Sequence, residues 1–368
     1  MALRRCLTFG DYMNMNRKLE RKIEKYKAFF ADDTPGQIVA SISPYTFHID
    51  YGEHMVKPLN QWDFERDVEQ FVEAGVASLR HFMDVTKDLE DDFIPAYTPG
   101  FGTGVNSAVV SGMPVTFGVD TSWTNHIIET WEDLNKLRLD RSNPWVKVLE
   151  RACAKSAALC DGDYVVGTYS HFAPSDMANA LRGNQIFYDI YDHPDQVARL
   201  LDFCADATIW LEKILRETAP KYMGGRHAAY MWFEGECCYL SEDNADLCAP
   251  DFYTELYGPA TQKVLNELGG AYIHHHAKGR HIHKEIAKLH GLRAVELSWD
   301  PGCPRPIDML EEVLEWTGNV VLQTRCTAAD VYKYIDILKK GRVSLMIDVT
   351  SLQEAKDVLS FIHKHSKI

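Results

Sequence analysis

The chain has 368 residues, of which 46% are hydrophobic and 25% charged, a balance typical of a globular protein large enough to bury a sizeable core. Its formal net charge of −14 argues against nucleic acid and anionic membranes as partners, because both bind to basic surfaces. The nine cysteines follow no disulfide framework, and residues 1–9 lack the apolar stretch of a secretion signal, so the sequence predicts a cytoplasmic protein.

Residues 12–32 are charged with helical spacing and predict a helix on the exterior of the fold. Eight short apolar runs alternate with helical patterns along the rest of the chain and predict strands over 38–43, 76–83, 164–169, 227–233, 271–276, 294–299, 320–325 and 343–348. The segment 108–123 interrupts this alternation and predicts a hairpin insertion. No linker divides the chain, so we expect one domain over 1–368. The repeat itself fits both a barrel and an open, doubly wound sheet.

Four segments resemble the uroporphyrinogen decarboxylase superfamily in their order and spacing. Residues 166–201 resemble the family's strand, Ala-Pro turn and Arg-Gly helix end, and residues 232–257 resemble its strand–loop–helix block with the proline at Pro250. Residues 271–300 resemble a strand that ends in a polar cluster, then a helix and a second strand, and the tail EAKDVLSFIHKHSKI resembles the last helix. The resemblance implies an α/β fold, a (β/α)8 TIM barrel with an N-terminal helical extension, and the homodimer that the family often forms.

The decarboxylases of this family bind substrate carboxylates through an N-terminal Arg-Gln-Ala-Gly-Arg block. The matching strand end here, 41–54, contains no arginine, and residues 346–351 replace the family's late Gly-His-Gly loop without a histidine. Because arginine is the bidentate clamp for carboxylates, these departures argue against uroporphyrinogen as the substrate. One feature of this branch remains, since Asp84 matches the aspartate that contacts the pyrrole nitrogens.

A second branch of the family comprises zinc methyltransferases that move methyl groups between corrinoids and thiol or methylated substrates. Their zinc ligands are a His-x-Cys at one strand end and a later cysteine, and the resemblance assigns these positions to His274, His276 and Cys326. His274 and His276 lie two residues apart on one predicted strand, so their side chains point the same way and can bind one metal. This ligand set suits Zn²⁺, with iron, cobalt and nickel left open. Further ligands are available at other predicted strand ends: Asp84, Glu234, Glu236, Asp300 or Cys303.

The strand ends also supply candidate catalytic residues, namely Asp84, Tyr169, His171 and Glu234. The leading hypothesis is a zinc-dependent methyltransferase acting on a small thiol or methylated substrate. Its methylcorrinoid would be carried by a separate corrinoid protein, because this chain has no Asp-x-His-x-x-Gly cobalamin segment. Two alternatives remain open: a metal-independent decarboxylase of a porphyrin-like or other small acid, with Asp84 stabilising a developing cation, and a non-catalytic barrel that binds a small ligand or a corrinoid partner.

Overall fold

The structure is a computed structural model that describes residues 9–44, 49 and 51–368. Its helices are α1 (Phe9–Ala31), α2 (Phe64–Val85), α3 (Gly104–Ser111), α4 (Pro144–Leu159), α5 (Pro174–Arg182), α6 (Ile186–Asp192), α7 (Pro194–Arg216), α8 (Pro250–Phe252), α9 (Gly258–Leu268), α10 (His283–Ile286), α11 (Leu310–Thr317), α12 (Ala328–Leu338) and α13 (Leu352–His365). Its strands are β1 (Gln37–Ile42), β2 (Ala96–Tyr97), β3 (Thr116–Phe117), β4 (Ser122–Trp123), β5 (Val165–Val166), β6 (Ser170–Phe172), β7 (Gly225–Ala228), β8 (Met231–Glu234), β9 (Cys238–Ser241), β10 (Ala271–His276), β11 (Leu292–Ser298), β12 (Val321–Thr327) and β13 (Arg342–Asp348). Within the described part of the chain, no helix combines the length and the apolar character needed to span a bilayer.

A seven-stranded sheet, in the order β1-β13-β12-β11-β10-β9-β6, forms the centre of the fold. All of its neighbouring strands pair in parallel. Three two-stranded pairs accompany it: β2 with β5 in parallel, and the antiparallel pairs β3–β4 and β7–β8. The α/β class predicted from the alternation of strands and helices is therefore confirmed.

The two faces of the central sheet are covered differently. One face packs against helices, and its buried cluster combines strand residues such as Leu322 and Leu345 with Val331 of α12 and Val358 of α13. The opposite face, here the inner face, packs against α1 and the β7–β8 hairpin. Its apolar cluster joins strand residues to these two elements: Val39, Tyr272, Ala294 and Val321 with Ile23, Tyr26, Phe29, Trp232 and Phe233.

Helix α1 confirms the helix predicted over 12–32, but its predicted position on the exterior is wrong. Its apolar residues are buried against the inner face, and the helix closes the amino-terminal end of that face. Lys22 contacts Asp91 at 2.7 Å, and Lys25 contacts Asp92 at 2.8 Å. The Asp92 carboxylate also accepts the backbone N–H of Ala40 in β1 at 2.9 Å. The helix is therefore tied to the first strand through a buried carboxylate.

Three predicted elements differ from the structure. Residues 76–83 are not a strand, because they belong to the 22-residue helix α2, which begins after the N-cap Asp63. Residues 227–233 form the β7–β8 hairpin, and the parallel strand of this region is β9, which the sequence analysis missed. The insertion over 108–123 contains the predicted hairpin, but it begins as the end of α3. Short apolar runs do not by themselves distinguish a buried helix from a strand, and this ambiguity explains the first error.

Candidate metal centre

Polar side chains collect where β9, β10 and β11 end. His274 and His276 lie on β10, and Asp243 lies two residues beyond the end of β9. Glu296 lies on β11, and Asp300 lies two residues beyond its end. In the parallel register, His274 is opposite Glu296. Because the carboxyl ends of parallel strands share one edge of a sheet, residues distant in sequence meet here.

Three potential ligand atoms converge at this edge. The Nε2 atoms of His274 and His276 lie 3.2 Å apart. Oδ1 of Asp243 lies 3.6 Å from Nε2 of His276 and 3.9 Å from Nε2 of His274. These three residues are the group of metal-binding type found among the described residues. The two imidazole side chains are 17% and 31% exposed, so the group is open to a small ligand.

Carboxylates hold the other nitrogen of each imidazole. Nδ1 of His274 lies 2.7 Å from Oε2 of Glu296, and Nδ1 of His276 lies 2.9 Å from Oδ1 of Asp300. Glu296 is itself fixed by the hydroxyl of Tyr272, which donates at 2.6 Å. A neutral imidazole that donates its Nδ1–H to a carboxylate has an unprotonated Nε2, which is the arrangement typical of metal-binding histidines.

The convergence of these atoms favours either a shared proton or a bound cation. With both Nδ1–H groups donated outward, two Nε2 lone pairs face each other at 3.2 Å. Oδ1 of Asp243 is a third acceptor, buried and without a hydrogen-bond partner in the described part of the chain. A proton on one imidazole relieves this repulsion in part, and burial of His274, which lowers its pKa, is outweighed by its hydrogen bond to Glu296, so that the net pKa is raised. A divalent metal ion would satisfy all three atoms together.

Further carboxyl groups lie close to Asp243 in the sequence or in space. Burial, followed by the charges of Asp243 and Asp300, raises the pKa of Asp246 to about 7. Burial also raises the pKa of Glu242 to about 7, although hydroxyl groups donate to it. The buried Asp176 accepts the backbone N–H groups of Asp243 and Asn244, which fixes the turn that carries Asp243. Asp246 can therefore hold a proton near neutral pH close to the three potential ligand atoms.

Of the three metal ligands expected from the sequence, the structure brings together His274 and His276 but not Cys326. Along β12, Gln323 and Arg325 belong to the inner face, whereas Cys326 is buried on the helix-covered face beside Leu297 and Ala328. Burial raises the pKa of its thiol, which favours the neutral form rather than the thiolate that binds metals. The two-residue period of a strand was the available signal, because it separates Cys326 from Arg325.

The expected catalytic residues also lie away from the His274–His276 pair. Asp84 stands near the end of α2 instead of a strand end, and its side chain is 48% exposed and pairs with Lys87 at 3.0 Å. His171 is on the helix-covered face, where its Nε2 lies 2.9 Å from Glu212 of α7 and both side chains are fully buried. Tyr169 is buried, and its hydroxyl donates to the carbonyl of Gly102 at 3.2 Å.

Glu234 and Glu236 lie near the opposite edge of the sheet. The carbonyl of Glu234 accepts from Arg293, which stands at the beginning of β11, and Glu236 forms ion pairs with Arg226 and Lys221. Among the further ligands considered from the sequence, Asp300 alone contacts the imidazole pair, through His276. Cys303 follows β11, and its sulfur does not belong to the group of three ligand atoms.

Sequence reasoning missed Asp243 and the role of Glu296. Asp243 could not be assigned to a strand end, because β9 was not predicted. Glu296 belongs to a strand that was predicted, and its position opposite His274 depends on the register between β10 and β11. An acidic residue at an inward position of a buried strand was the signal, since carboxylates are rarely buried without a partner.

Comparison with known proteins assigns this chain to no family. A scan against protein-family models finds no match for the chain, and a search of curated proteins finds no similar protein. The chemistry of the site is therefore inferred from its own side chains.

Proposed function

We propose that this protein is a metal-dependent enzyme that holds a divalent ion, preferentially Zn²⁺, with His274, His276 and Asp243. One observation carries the proposal: three potential ligand atoms converge, while the Nδ1 atom of each imidazole is hydrogen-bonded to a carboxylate. With Asp243 in the place expected for Cys326, the set of protein ligands consists of two nitrogens and one oxygen. Zinc accepts both donor types, and three protein ligands leave one position for a substrate, as in catalytic zinc sites.

The fold that supports this site is, in our proposal, the closed (β/α)8 barrel of the uroporphyrinogen decarboxylase superfamily. Two observations support closure at the open edges of the seven-stranded sheet. The backbone N–H of Asp92 donates to the carbonyl of Ala40 in β1 at 2.7 Å, and β2, a few residues later, pairs in parallel with β5. Strand β6 follows β5 after three residues and pairs with β9, so hydrogen bonds and short chain segments together connect one edge strand with the other. Barrel enzymes typically have their active sites at the carboxyl ends of the strands, where this site lies.

For the reaction, we propose methyl transfer that involves a small thiol or methylated substrate, with a methylcorrinoid supplied by a partner protein. A bound zinc ion supplies Lewis acidity, which lowers the pKa of a thiol that it binds. Glu296 and Asp300 orient the imidazoles, and Asp176 fixes the turn of Asp243. A thiol must also lose its proton, and Asp246, with a pKa of about 7, is suited to accept it near neutral pH.

A metal-independent acid–base enzyme, such as a decarboxylase of a small acid, is the second candidate. The raised pKa of Asp246 favours it, since a carboxyl group that is half protonated at neutral pH can donate or accept a proton. Asp84 no longer supports this candidate, because it pairs with Lys87 at an exposed helix end.

Metal analysis of the purified full chain tests the proposal. We expect near-stoichiometric zinc in the wild-type protein after growth in metal-replete medium. His276→Ala should lower the metal content below about a tenth of an equivalent, because one of three ligands is lost. His290→Ala is the matched control, since His290 is exposed and precedes β11 at the other edge of the sheet.

Two results contradict the proposal. The first is a wild-type protein that contains less than about a tenth of an equivalent of any transition metal. The second is equal metal content in His276→Ala and the wild type. Turnover of a small acid by metal-free protein, lost on replacement of Asp246 by asparagine, would favour the acid–base candidate instead.

A further inference from the structure

One aromatic ring on the inner face has stacking partners on a single side. Tyr239 of β9 is directly opposite Tyr272 of β10 in the parallel register, and their rings stack with centroids 5.4 Å apart and planes 28° apart. The ring of His274 stacks on Tyr239 as well, with centroids 6.3 Å apart. Because both partners belong to β10, one face of the Tyr239 ring is turned towards that strand and the other face is turned towards β6.

The face of the Tyr239 ring that is turned towards β6 is open. The residue opposite Tyr239 on β6 is Ser170, whose side chain is small and exposed. In the part of the chain that the structure describes, no further ring stacks on Tyr239 and no lysine or arginine lies over it. Neighbouring strands are about 4.8 Å apart, so a serine at this position leaves space beside the ring. Tyr239 and Ser170 thus form the two sides of a slot.

The chain segments on this side of the sheet contain no basic side chain that could fill the slot. Residues 97–107, 164–176 and 238–249 include neither lysine nor arginine. The second and third segments carry β6 and β9, and the first contacts β6 through the side-chain amide of Asn106, which donates to the carbonyl of Ser170 at 3.4 Å. These segments therefore supply no internal cation to the aromatic face.

Carboxylates lie close to the slot. Ser241, which follows Tyr239 by two residues on the same face of β9, donates to Oδ2 of Asp243 at 3.0 Å. Tyr272, the stacking partner, donates to Oε2 of Glu296 at 2.6 Å. Burial, followed by the charges of Glu296 and Asp243, raises the pKa of the Tyr239 phenol, which therefore stays neutral. A cation in the slot would be attracted both by the carboxylates and by the electron-rich face of the ring.

The negative charge persists when the centre holds a metal ion. Asp243, Glu296 and Asp300 each place a carboxylate beside His274 or His276. Three negative charges exceed the charge of one divalent ion, and imidazoles that bind a metal are neutral. A monovalent cation is therefore attracted to the neighbourhood of the loaded centre, whereas an anion is repelled.

We propose that Tyr239 and Ser170 form a subsite for the methylated ammonium group of a small cationic substrate whose other end reaches His274 and His276. The role of that molecule as a substrate rests on the function proposed above, whereas its binding at Tyr239 does not. A methylated ammonium group fits the slot because it combines a positive charge with apolar methyl groups that can contact an aromatic face. Strand β9 separates β6 from β10, so the backbones of β6 and β10 lie roughly 10 Å apart and the substrate is extended.

A ligand-observed NMR titration of the full chain with choline tests this subsite, because the equivalent methyl protons of choline give one sharp signal. The protein is first treated with a chelator, so that a bound metal cannot contribute. The matched probe is 3,3-dimethylbutan-1-ol, in which carbon replaces the nitrogen of choline and removes the charge. We expect choline to bind about tenfold more tightly than this alcohol or more. Potassium chloride at the same concentration as choline should displace little of it, because potassium lacks the methyl groups.

Three variants identify the residues responsible. Tyr239→Leu removes the ring and should weaken choline binding by roughly five- to thirtyfold, whereas Tyr239→Phe keeps the ring and should bind choline within about threefold of the wild type. Ser170→Leu fills the open space and should weaken binding by about tenfold or more. Tyr332→Leu is the matched control, because Tyr332 is an exposed residue of α12 on the helix-covered side of the sheet. Circular dichroism checks that each variant is folded.

The proposal is overturned if choline does not bind the wild-type chain, or if the neutral alcohol or potassium ions bind as tightly as choline. It is equally overturned if Tyr239→Leu and Ser170→Leu both bind choline as the wild type does, or if Tyr239→Phe loses as much affinity as Tyr239→Leu. Metal analysis of the untreated protein is a separate measurement. A protein without metal that still binds choline through Tyr239 would refute the metal-dependent function alone, and a zinc protein that binds no choline would refute the subsite alone.

Discussion

At the scale of single residues, the direction of one side chain changes the chemistry of the site. Arg325 and Cys326 are neighbours on β12, yet the first belongs to the inner face and the second is buried among helix residues. The group of potential metal ligands therefore contains an oxygen of Asp243 where the resemblance implied a thiolate. A ligand set without sulfur is harder in the Lewis sense, and it favours metals that accept nitrogen and oxygen donors.

Replacement of Cys326 by alanine tests this assignment. We expect unchanged metal content, because the sulfur lies on the opposite face from His274 and His276. The free energy of unfolding should fall by about 1 to 2 kcal/mol, since removal of a buried sulfur leaves a small cavity. Metal analysis and urea denaturation measure the two effects. A variant that lost its metal but kept its fold would return Cys326 to the ligand set.

At the scale of elements, strand β10 places consecutive histidines on opposite faces of the sheet. Nε2 of His275 lies 2.7 Å from Nδ1 of His283, whose Nε2 lies 2.8 Å from Oγ1 of Thr317. The Thr317 hydroxyl donates to the carbonyl of Val313 at 2.6 Å, so it accepts from His283. His283 is then neutral with its proton on Nε2, and its Nδ1 accepts from His275. This chain of hydrogen bonds joins β10 to α10 and α11.

The neutral state of His283 predicts a loss of stability in mild acid. Burial lowers the pKa of His283 to about 4, whereas the unfolded chain binds this proton near pH 6.5. Between these values the unfolded state binds more protons, so the stabilising contribution is complete above about pH 6.5 and declines as the pH falls. We expect about 2 kcal/mol to be lost from this group between pH 7 and pH 5.

Urea denaturation at both pH values, with His283→Gln as the comparison, measures this contribution. Glutamine can accept from His275 and donate to Thr317 but does not titrate, so the variant should lose about 2 kcal/mol less than the wild type over the same pH interval. Identical pH dependence in the two proteins would show that His283 is not the titrating group.

At the scale of the whole molecule, helix α1 is part of the fold and not an appendage. Its residues Leu19, Ile23 and Tyr26 are buried in the cluster that fills the inner face below the site. The same cluster contains residues of the β7–β8 hairpin and of the inner-face strands. Closure of the amino-terminal end therefore supports the sheet face that carries His274 and His276.

Substitution of Lys25 by methionine tests this closure. Asp92 is 4% exposed, and the change leaves its carboxylate without its ion-pair partner while it still accepts from Ala40. We expect the free energy of unfolding to fall by about 3 kcal/mol, because removal of one partner exposes the desolvation cost of the other. Lys340→Met is the control, since both members of its pair with Glu311 are 63% exposed and the loss should be at most about 1 kcal/mol. Equal losses in the two variants would contradict the role assigned to Lys25.

Several features were predictable from sequence because their signals are local. The alternation of apolar runs with helical patterns predicts a parallel α/β fold, and the charged helical spacing of residues 12–32 predicts α1. Likewise, the two-residue spacing of His274 and His276 predicts that their imidazoles point to one side, which the structure confirms with Nε2 atoms 3.2 Å apart. Each of these inferences depends on the geometry of one helix or strand, which neighbouring residues determine.

The remaining features depend on contacts between distant residues, and only the tertiary structure decided them. Glu296 meets His274 through a strand register that links positions 22 residues apart. The side of β12 covered by helices determines that Cys326 is buried and Arg325 exposed. The loop of the β7–β8 hairpin is held by Gln323, which donates to the carbonyl of Ala229, 94 residues away. Local propensity determines which residues share a strand face, but long-range pairing determines what that face contacts, and the chemistry of the site follows from those contacts.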